Sequence, residues 1–163
     1  MEMIFSPYCK EVPEGACARE YIAALKQADM LSKDEEACIR LKELDSFLES
    51  PVACEMWKAL AENRLSCKQP FVIGLPAREF EKLPEREDLV MVQGIIDVFW
   101  EDADGLVLLD YKTDHVKTAE ELKNRYKTQL DFYKRALEQA TGKKVVKCYI
   151  YSFSLSELVL ATV

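Results

Sequence analysis

Two carboxylates and one lysine lie within apolar segments of the sequence, where charged side chains are uncommon. Residues 94–114 read GIIDVFWEDADGLVLLDYKTD and contain Asp97, Asp110 and Lys112. Burying a charge is costly unless it is paired or holds a metal ion, so these three side chains need a common explanation. Because residues two apart in a strand point to the same face, we expect Asp110 and Lys112 to project together.

The two carboxylates predict a divalent metal site. Residues 103–105, Ala-Asp-Gly, are typical of a hairpin turn, so the strands that carry Asp97 and Asp110 should pair and bring both side chains together. Two close carboxylates repel, and one would be protonated unless a cation neutralised them. A small set of hard oxygen ligands suits Mg²⁺ or Mn²⁺. Lys112 would then stabilise the negative charge that builds on a phosphoryl group during hydrolysis.

An ordinary ion pair at a strand end is the alternative, because a single Asp-x-Lys triplet is weak evidence. Three features favour the metal site: Asp97 on the paired strand, Gly94 three residues before it, and a following helix with Gln129 and Tyr133. Those two helical residues are four apart and share one face, from which their polar ends could reach the strand ends. In the alternative, this helix only packs on the sheet through Tyr126, Leu130, Tyr133 and Leu137.

Hydrophobic periodicity predicts the elements that position these residues. Helices are expected over 16–31, from Ser32 to Leu48 and over 51–64, followed by strands over 66–77, 89–102 and 106–114, a helix over roughly 118–140, and strands over 144–153 and 157–163. The expected markers are a capping box that begins at Ser32, Pro51 in a first helical turn, Pro70 in an edge strand, a polar connection over 80–88 and Gly142 as a C-terminal cap. This order predicts an α+β fold, a mixed β-sheet flanked by helices.

Length and charge limit the kind of protein. The chain has 163 residues, is 49% hydrophobic and 31% charged, and contains no apolar run long enough to cross a bilayer. Its first residues do not resemble a signal peptide, so we expect a soluble, intracellular protein that does not contact a membrane. The net charge of −7 argues against autonomous binding of nucleic acid. The segment 112–147 is richer in Lys and Arg and would permit a locally basic groove.

Six cysteines occur without CxxC spacing, which argues against a zinc ribbon or a thioredoxin-type site. Three of them, Cys17, Cys38 and Cys54, fall among apolar helical positions. A free cysteine at such a position usually behaves as a small buried apolar residue, so we expect these three thiols to be buried.

The motifs GIID, DYKTD and QLDFY, in this order and spacing, resemble the PD-(D/E)XK nuclease superfamily. They are most similar to the C-terminal nuclease domains of the AddA subunits of bacterial AddAB helicase–nucleases, with the RecB nuclease domain as a more distant relative. The similarity extends over most of the chain, including the helical start, QPFVIGLPA and KVVKCYIYSF. It implies a restriction-endonuclease-like fold in one nuclease domain, 1–163, with a helical part over 1–65 that is truncated upstream and a catalytic core over 66–163.

The resemblance also implies roles for individual residues. Asp97 and Asp110 would bind the metal together with the backbone carbonyl of Tyr111, and Lys112 would be the catalytic lysine. Gln129 and Tyr133 match a Q-x-x-x-Y motif that supports the site and contacts DNA in that family. The catalytic set implied in this way is Asp97, Asp110, Lys112, Gln129 and Tyr133.

The function implied is that of a DNA exonuclease dependent on Mg²⁺ (or Mn²⁺). It would cleave single strands delivered by a helicase, within a bacterial cytoplasmic complex that processes double-strand break ends for recombinational DNA repair. The sequence contains no G-x-x-x-x-G-K-[ST], so ATP would be used only by a helicase part of a longer chain. The implied partners are DNA ends, that helicase domain and a second, AddB-like subunit.

The sequence departs from this family at several positions. Relatives carry a His on an early helix, whereas the only His here is His115, which we expect in a solvent-facing loop. Lys68 stands where relatives often have a Glu. Related domains with an iron–sulfur cluster have three cysteines near the C-terminus, whereas only Cys148 lies there in this chain, so we do not expect a cluster. Two alternatives stay open: a catalytically silent module that docks subunits or guides DNA, and a stand-alone nuclease that acts on another nucleic acid.

Overall fold

The structure, a computed structural model, describes residues 2–6, 9, 12, 15–80 and 88–161. In this part of the chain the α-helices are α1 (Ala18–Gln27), α2 (Lys33–Cys38), α3 (Leu41–Leu48), α4 (Pro51–Ala61) and α5 (Ala119–Thr141). The β-strands are β1 (Leu65–Pro76), β2 (Leu89–Asp102), β3 (Gly105–Lys112), β4 (Val145–Ser152) and β5 (Glu157–Ala161). Short 3₁₀ turns cover Glu2–Phe5 and Ala77–Glu79. Most of the predicted polar connection, 81–87, and the last two residues of the chain lie outside the described residues.

The five strands form one mixed sheet in the order β1-β2-β3-β4-β5. All neighbours are antiparallel except β3 and β4, which are parallel because α5 carries the chain back across the sheet. Pro70 lies on β1, an edge strand, where a residue without an N–H group is tolerated. The predicted α+β fold with a mixed sheet flanked by helices is confirmed.

Helices cover the two faces of the sheet and bury a separate apolar cluster on each. On one face α1, α3 and α4 pack against β2, β3 and β4 through residues such as Phe47, Met56 and Leu109. On the other face α5 packs through Leu122 and Leu130, among others. Each face of the central strand β3 is therefore buried, which explains its near-continuous apolar sequence.

The helix predicted from Ser32 to Leu48 is two helices, so this prediction is wrong in its middle. Its start is as expected, because the Ser32 hydroxyl accepts a hydrogen bond from the Glu35 N–H and the Glu35 carboxylate accepts one from the Ser32 N–H. The chain then becomes extended at Ile39 and Arg40 before α3 begins. This break lets Ile39 and Leu41 pack on the same core, which residues two apart in one continuous helix could not do.

The prediction that three helical cysteines are buried is also wrong, because Cys17, Cys38 and Cys54 are all exposed. Cys17 precedes the first turn of α1, and Cys38 ends a helix without a buried residue. Cys54 lies off the buried stripe of α4. Cys9 and Cys148 are the buried thiols of the described residues.

The long helix α5 has the ends that the sequence predicts. The Thr118 side chain accepts a hydrogen bond from the Glu121 N–H at its start, and Gly142 ends it with φ 70°, a left-handed conformation that suits glycine. In the described part of the chain no helix is both long enough and apolar enough to span a membrane.

Candidate active site

The sheet opens between β2 and β3 at the two predicted carboxylates. The ladder between these strands runs from Asp102–Gly105 to Val98–Leu109 and ends there, one residue before Asp97 and Asp110. Beyond this point β2 continues to pair with β1, and β3 continues to pair with β4. We call this opening the strand fork. It brings Asp97 and Asp110 to the position where the two strands part.

The alternation of side chains along β2 is irregular at Asp97. Ile96 belongs to the apolar cluster under α5, whereas Val98 belongs to the cluster on the opposite face, so the alternation of side chains slips by one residue at Asp97. On the neighbouring strand, Lys68 is left out of the ladder and has φ 51°. Both strands are therefore distorted at the same level of the sheet.

Both oxygens of the Asp97 carboxylate accept hydrogen bonds. Oδ2 accepts from the backbone N–H of Tyr111 across the fork, at 3.1 Å. Oδ1 accepts from the ammonium of Lys68 on β1, at 2.7 Å. Asp97 is thus tied to a backbone group on one side and to a flexible side chain on the other.

Asp110 is the buried carboxylate of the pair, with 1% of its surface exposed. Its Oδ2 lies 2.6 Å from the Lys112 Nζ, but this contact is not aligned as a hydrogen bond, and no other described residue donates one to that oxygen. Burial, and to a smaller extent the nearby Asp97 charge, raises the pKa of Asp110 to about 6, while the Lys112 ammonium acts in the opposite direction. The side chains of Asp110 and Lys112 do project to the same face, as predicted.

Helix α5 holds Lys112 from the other side. The Lys112 ammonium donates a hydrogen bond to Oε1 of Gln129 at 3.0 Å, and Nε2 of Gln129 donates one to the Tyr133 hydroxyl at 2.6 Å. Burial and the Asp110 charge raise the pKa of Tyr133. The two helical residues therefore share a face and reach the strand ends, as predicted from their spacing.

Tyr126 is a site residue that the sequence reasoning missed, since it was considered only as a packing residue. The Lys112 ammonium lies 4.2 Å from the centre of its ring, a cation–π contact. Its hydroxyl donates a hydrogen bond to Oδ2 of Asp114 at 2.6 Å. Its spacing from Gln129 and Tyr133, three and seven residues, places all three on one helical face and could have revealed it.

Lys68 is a second residue whose contact with the site is not predicted by the sequence. In the sequence, Lys68 is distinguished only as a departure from relatives, which often have a Glu there. The sequence carries no signal for its contact with Asp97, because that contact depends on the pairing of β1 with β2 and on a left-handed backbone at Lys68. His115, by contrast, is exposed in the segment after β3, as expected.

Gly94 allows a close approach beside the site. It pairs with Phe71 of β1, and a Cβ atom at Gly94 would come within 2.8 Å of the Phe71 ring. The same ring packs edge-on against Tyr133, with centroids 5.5 Å apart. Gly94 thus makes room for an aromatic contact that supports the Tyr133 side of the site.

A cleft of about 680 Å³ lies on the opposite face of the sheet and is separate from the strand fork. Its lining includes Tyr111, Thr113 and Phe153 but none of the charged residues at the fork. Tyr111 and Lys112 point to opposite faces, as neighbours in a strand do. The predicted site residues therefore lie at the strand fork and do not line this cleft, apart from Tyr111.

The residues at the fork fit a divalent metal of the Mg²⁺ type. No group of three or more His, Cys, Asp or Glu side chains that could hold a metal occurs within the described ranges. Among the described residues, the fork offers the two carboxylates, together with backbone oxygen, as ligands. Mg²⁺ is commonly held by only one or two carboxylates while it keeps several waters. The Asp110 oxygen without an aligned hydrogen bond suits such a ligand.

Several known proteins are similar to this chain. The family model for the PD-(D/E)XK nuclease superfamily matches residues 1–158. The A subunit of the ATP-dependent helicase/nuclease of Thermoanaerobacter sp. (strain X514) is 39% identical over 140 residues, which cover 83% of this chain and 11% of that protein. The protein of the same name from Clostridium botulinum (strain 657 / Type Ba4) is 35% identical over 145 residues, 86% of this chain and 11% of that protein.

A third relative, from Clostridium botulinum (strain Hall / ATCC 3502 / NCTC 13319 / Type A), has the same name and is 42% identical over 106 residues, 63% of this chain and 8% of that protein. The chain thus spans about a tenth of the length of these relatives. The family model covers nearly the whole chain. The chain therefore belongs to the PD-(D/E)XK nuclease superfamily.

Proposed function

We propose that this chain is a divalent-metal-dependent deoxyribonuclease domain that hydrolyses phosphodiesters of single-stranded DNA. The observation that carries the proposal is the buried Asp110–Lys112 pair beside Asp97 at the open end of two strands. A buried pair of this kind contributes little to stability by itself, so a chemical role is the better reason for its presence.

Asp97, Asp110 and the backbone carbonyl of Tyr111 would hold the metal. When bound, a divalent cation neutralises charge on a phosphoryl oxygen and lowers the pKa of a water molecule. The Asp97 carboxylate is oriented for this role by the Tyr111 N–H, which fixes one of its oxygens. Asp110 would need to be ionised, so metal binding should weaken as the pH falls below its pKa of about 6.

Lys112 would stabilise the charge that develops on the phosphoryl oxygens during hydrolysis. Three contacts hold its ammonium: the Asp110 carboxylate, the Gln129 side-chain oxygen and the Tyr126 ring. A positive charge that is fixed before the reaction stabilises the transition state without reorganisation. Gln129 would act through Lys112, since its amide is oriented in turn by the Tyr133 hydroxyl.

The names of the relatives support a wider role. Since they are ATP-dependent helicase/nuclease subunits, this domain would act as an exonuclease on strands delivered by a helicase part of a longer bacterial, cytoplasmic protein. With an AddB-like second subunit, that protein would process double-strand break ends for recombinational repair. The net charge of −7 agrees with a domain that depends on a larger protein to grip DNA.

A catalytically silent domain is the second candidate, and one observation favours it. The Lys68 ammonium already lies on Asp97, as Lys112 does on Asp110, so the two carboxylates are neutralised within the chain. In that case the domain would dock subunits or guide DNA.

Cleavage of a labelled single-stranded oligonucleotide with MgCl₂ or MnCl₂ separates the two candidates. We expect cleavage by the wild type and none by Asp110→Asn, with both proteins folded by circular dichroism and with chelator as a further control. Absence of cleavage by the wild type with either metal, at low salt, would favour the silent domain.

A further inference from the structure

Lys68 places a positive charge on one of the two carboxylates at the strand fork. Its Nζ lies 2.7 Å from Oδ1 of Asp97, and 54% of the Lys68 side chain is exposed, compared with 17% for Asp97. The ammonium therefore reaches the carboxylate from the solvent side, which is the side from which a dissolved ion arrives.

The backbone at Lys68 has an unusual conformation at this point. Its φ of 51° is left-handed, a conformation that is unfavourable for a residue other than glycine. Lys68 is also missing from the ladder between β1 and β2, although the pairs on either side of it, Cys67–Val98 and Gln69–Ile96, are regular. The distortion puts a long cationic side chain directly opposite Asp97.

The two hydrogen bonds to Asp97 differ in how readily they can be exchanged. The Tyr111 N–H belongs to the backbone of the central strand β3 and cannot leave without disrupting that strand. Lys68 is attached through a flexible four-carbon chain and can turn into solvent. An incoming cation that needs Oδ1 of Asp97 would therefore displace Lys68.

We propose that the Lys68 ammonium is a built-in competitor of the metal at Asp97, so that the Lys68–Asp97 ion pair and metal occupancy exclude each other. The inference rests on the proposed function insofar as it takes the strand fork as the metal site. A divalent cation and an ammonium that both contact one carboxylate oxygen would lie very close to each other and would repel strongly. Lys68 thus sets how much free Mg²⁺ or Mn²⁺ the site needs.

Calorimetric titration of MnCl₂ into Lys68→Gln and the wild type tests the proposal. The substitution removes the charge and keeps much of the length of the side chain. An exposed ion pair contributes up to about 1 kcal/mol, so its loss should tighten metal binding about 5-fold. Lys68→Arg keeps the charge and should bind Mn²⁺ as the wild type does.

Lys143→Gln is the matched control for the change in net charge. Lys143 pairs with Glu101 at 2.6 Å and is 49% exposed, which is close to the values for Lys68, but its partner is not at the fork. We expect an unchanged Kd for this variant. Equal tightening in both variants would mean that net charge alone sets the affinity, and would overturn the proposal.

Asp110→Asn separates failure of this inference from failure of the proposed function. If it abolishes Mn²⁺ binding while Lys68→Gln leaves the Kd unchanged, the metal site stands and the competition does not. If neither the wild type nor Lys68→Gln binds Mn²⁺, the metal site fails and the inference fails with it. Binding by Lys68→Gln alone would be the strongest form of the expected result.

The chemical reactivity of Lys68 and Lys143 gives a readout that does not depend on the affinity for the metal. An amine-acylating ester followed by peptide mass spectrometry measures how fast each lysine is modified. If Mn²⁺ releases Lys68 from Asp97, Lys68 should become severalfold more reactive on addition of the metal, whereas Lys143 should not change. Equal Lys68 reactivity with and without bound Mn²⁺ would contradict mutual exclusion.

Discussion

The two sides of the strand fork hold their carboxylates in opposite ways. On β3, Asp110 is 1% exposed, and Lys112 beside it is fixed by Gln129 of α5. On β2, Asp97 faces the edge strand and pairs with a lysine that is mostly exposed. The β3 side is rigid and costly to build, whereas the β2 side can exchange its partner.

In the proposed metal site, this difference would separate two tasks. Asp110 and Lys112 form a buried ion pair, and separating them would leave an uncompensated charge. Lys112 is therefore held firmly in its position. An exposed pair is worth little and is easily replaced, as metal binding requires. The fixed side therefore suits stabilisation of the reacting phosphoryl group, and the exchangeable side suits control of metal entry.

The largest expected effect is on the fixed side. We predict that Lys112→Gln lowers kcat about 10²–10³-fold, which is the usual result of removing one fixed group that stabilises developing charge. The Kd for Mn²⁺ should change far less than kcat, because both carboxylates remain. Single-turnover cleavage of an oligonucleotide and calorimetry measure the two quantities. Unchanged cleavage would remove Lys112 from the proposed mechanism.

A second prediction concerns the cost of ionising Asp110 in the metal-free protein. Its pKa of about 6 lies above the ordinary value of 3.8, so the stability linked to its protonated form is fully present below pH 3.8 and is lost as the pH rises through 6. A raised pKa of this kind corresponds to a loss on the order of a few kcal/mol. The Asp110→Asn variant has no carboxyl group to ionise at this position, so it does not lose this stability as the pH rises.

Urea unfolding of the wild type and Asp110→Asn at several pH values between 4 and 8, with chelator present, measures this effect. Carboxylates distant from the fork contribute equally to both proteins, so the difference in unfolding free energy reports Asp110 and the groups that interact with it, Asp97 and Lys112. We expect Asp110→Asn to gain stability relative to the wild type as the pH rises. A difference that does not vary with pH would show that ionisation of Asp110 carries no such cost.

The smallest expected effect is on stability, through the aromatic packing of Phe71 against Tyr133 on the α5 side of the fork. Gly94→Ala should destabilise the protein by about 1–2 kcal/mol, because its new methyl group would meet the Phe71 ring at 2.8 Å and press it towards Tyr133. Gly74→Ala is the matched control in the neighbouring strand, since its nearest contact is the Leu89 side chain at 3.2 Å. Thermal unfolding compares them, and equal melting temperatures would contradict the close approach at Gly94.

Local periodicity predicted much of the site. The two-residue spacing of Asp110 and Lys112 and the four-residue spacing of Gln129 and Tyr133 fix shared faces within one strand or one helix. The hairpin turn then determines which residues of two strands converge, so the position of Asp97 followed as well.

Other features depend on contacts between distant segments and could not be read from local sequence. The slip at Asp97 and the left-handed Lys68 arise from two paired strands together. The break in the predicted helix after Ser32 depends on where the core accepts Ile39 and Leu41. Whether the thiol of Cys54 is buried likewise depends on which face of α4 meets the core.

The central claim is that a divalent metal binds between Asp97 and Asp110, and paramagnetic broadening by Mn²⁺ tests it most directly. In the NMR spectrum of the ¹⁵N-labelled wild type, substoichiometric Mn²⁺ should broaden the amide signals of Tyr111 and Val98 first. Asp110→Asn should lose this broadening. Broadening centred instead on the acidic first turn of α2, at Asp34, Glu35 and Glu36, and unaffected by Asp110→Asn, would contradict the account.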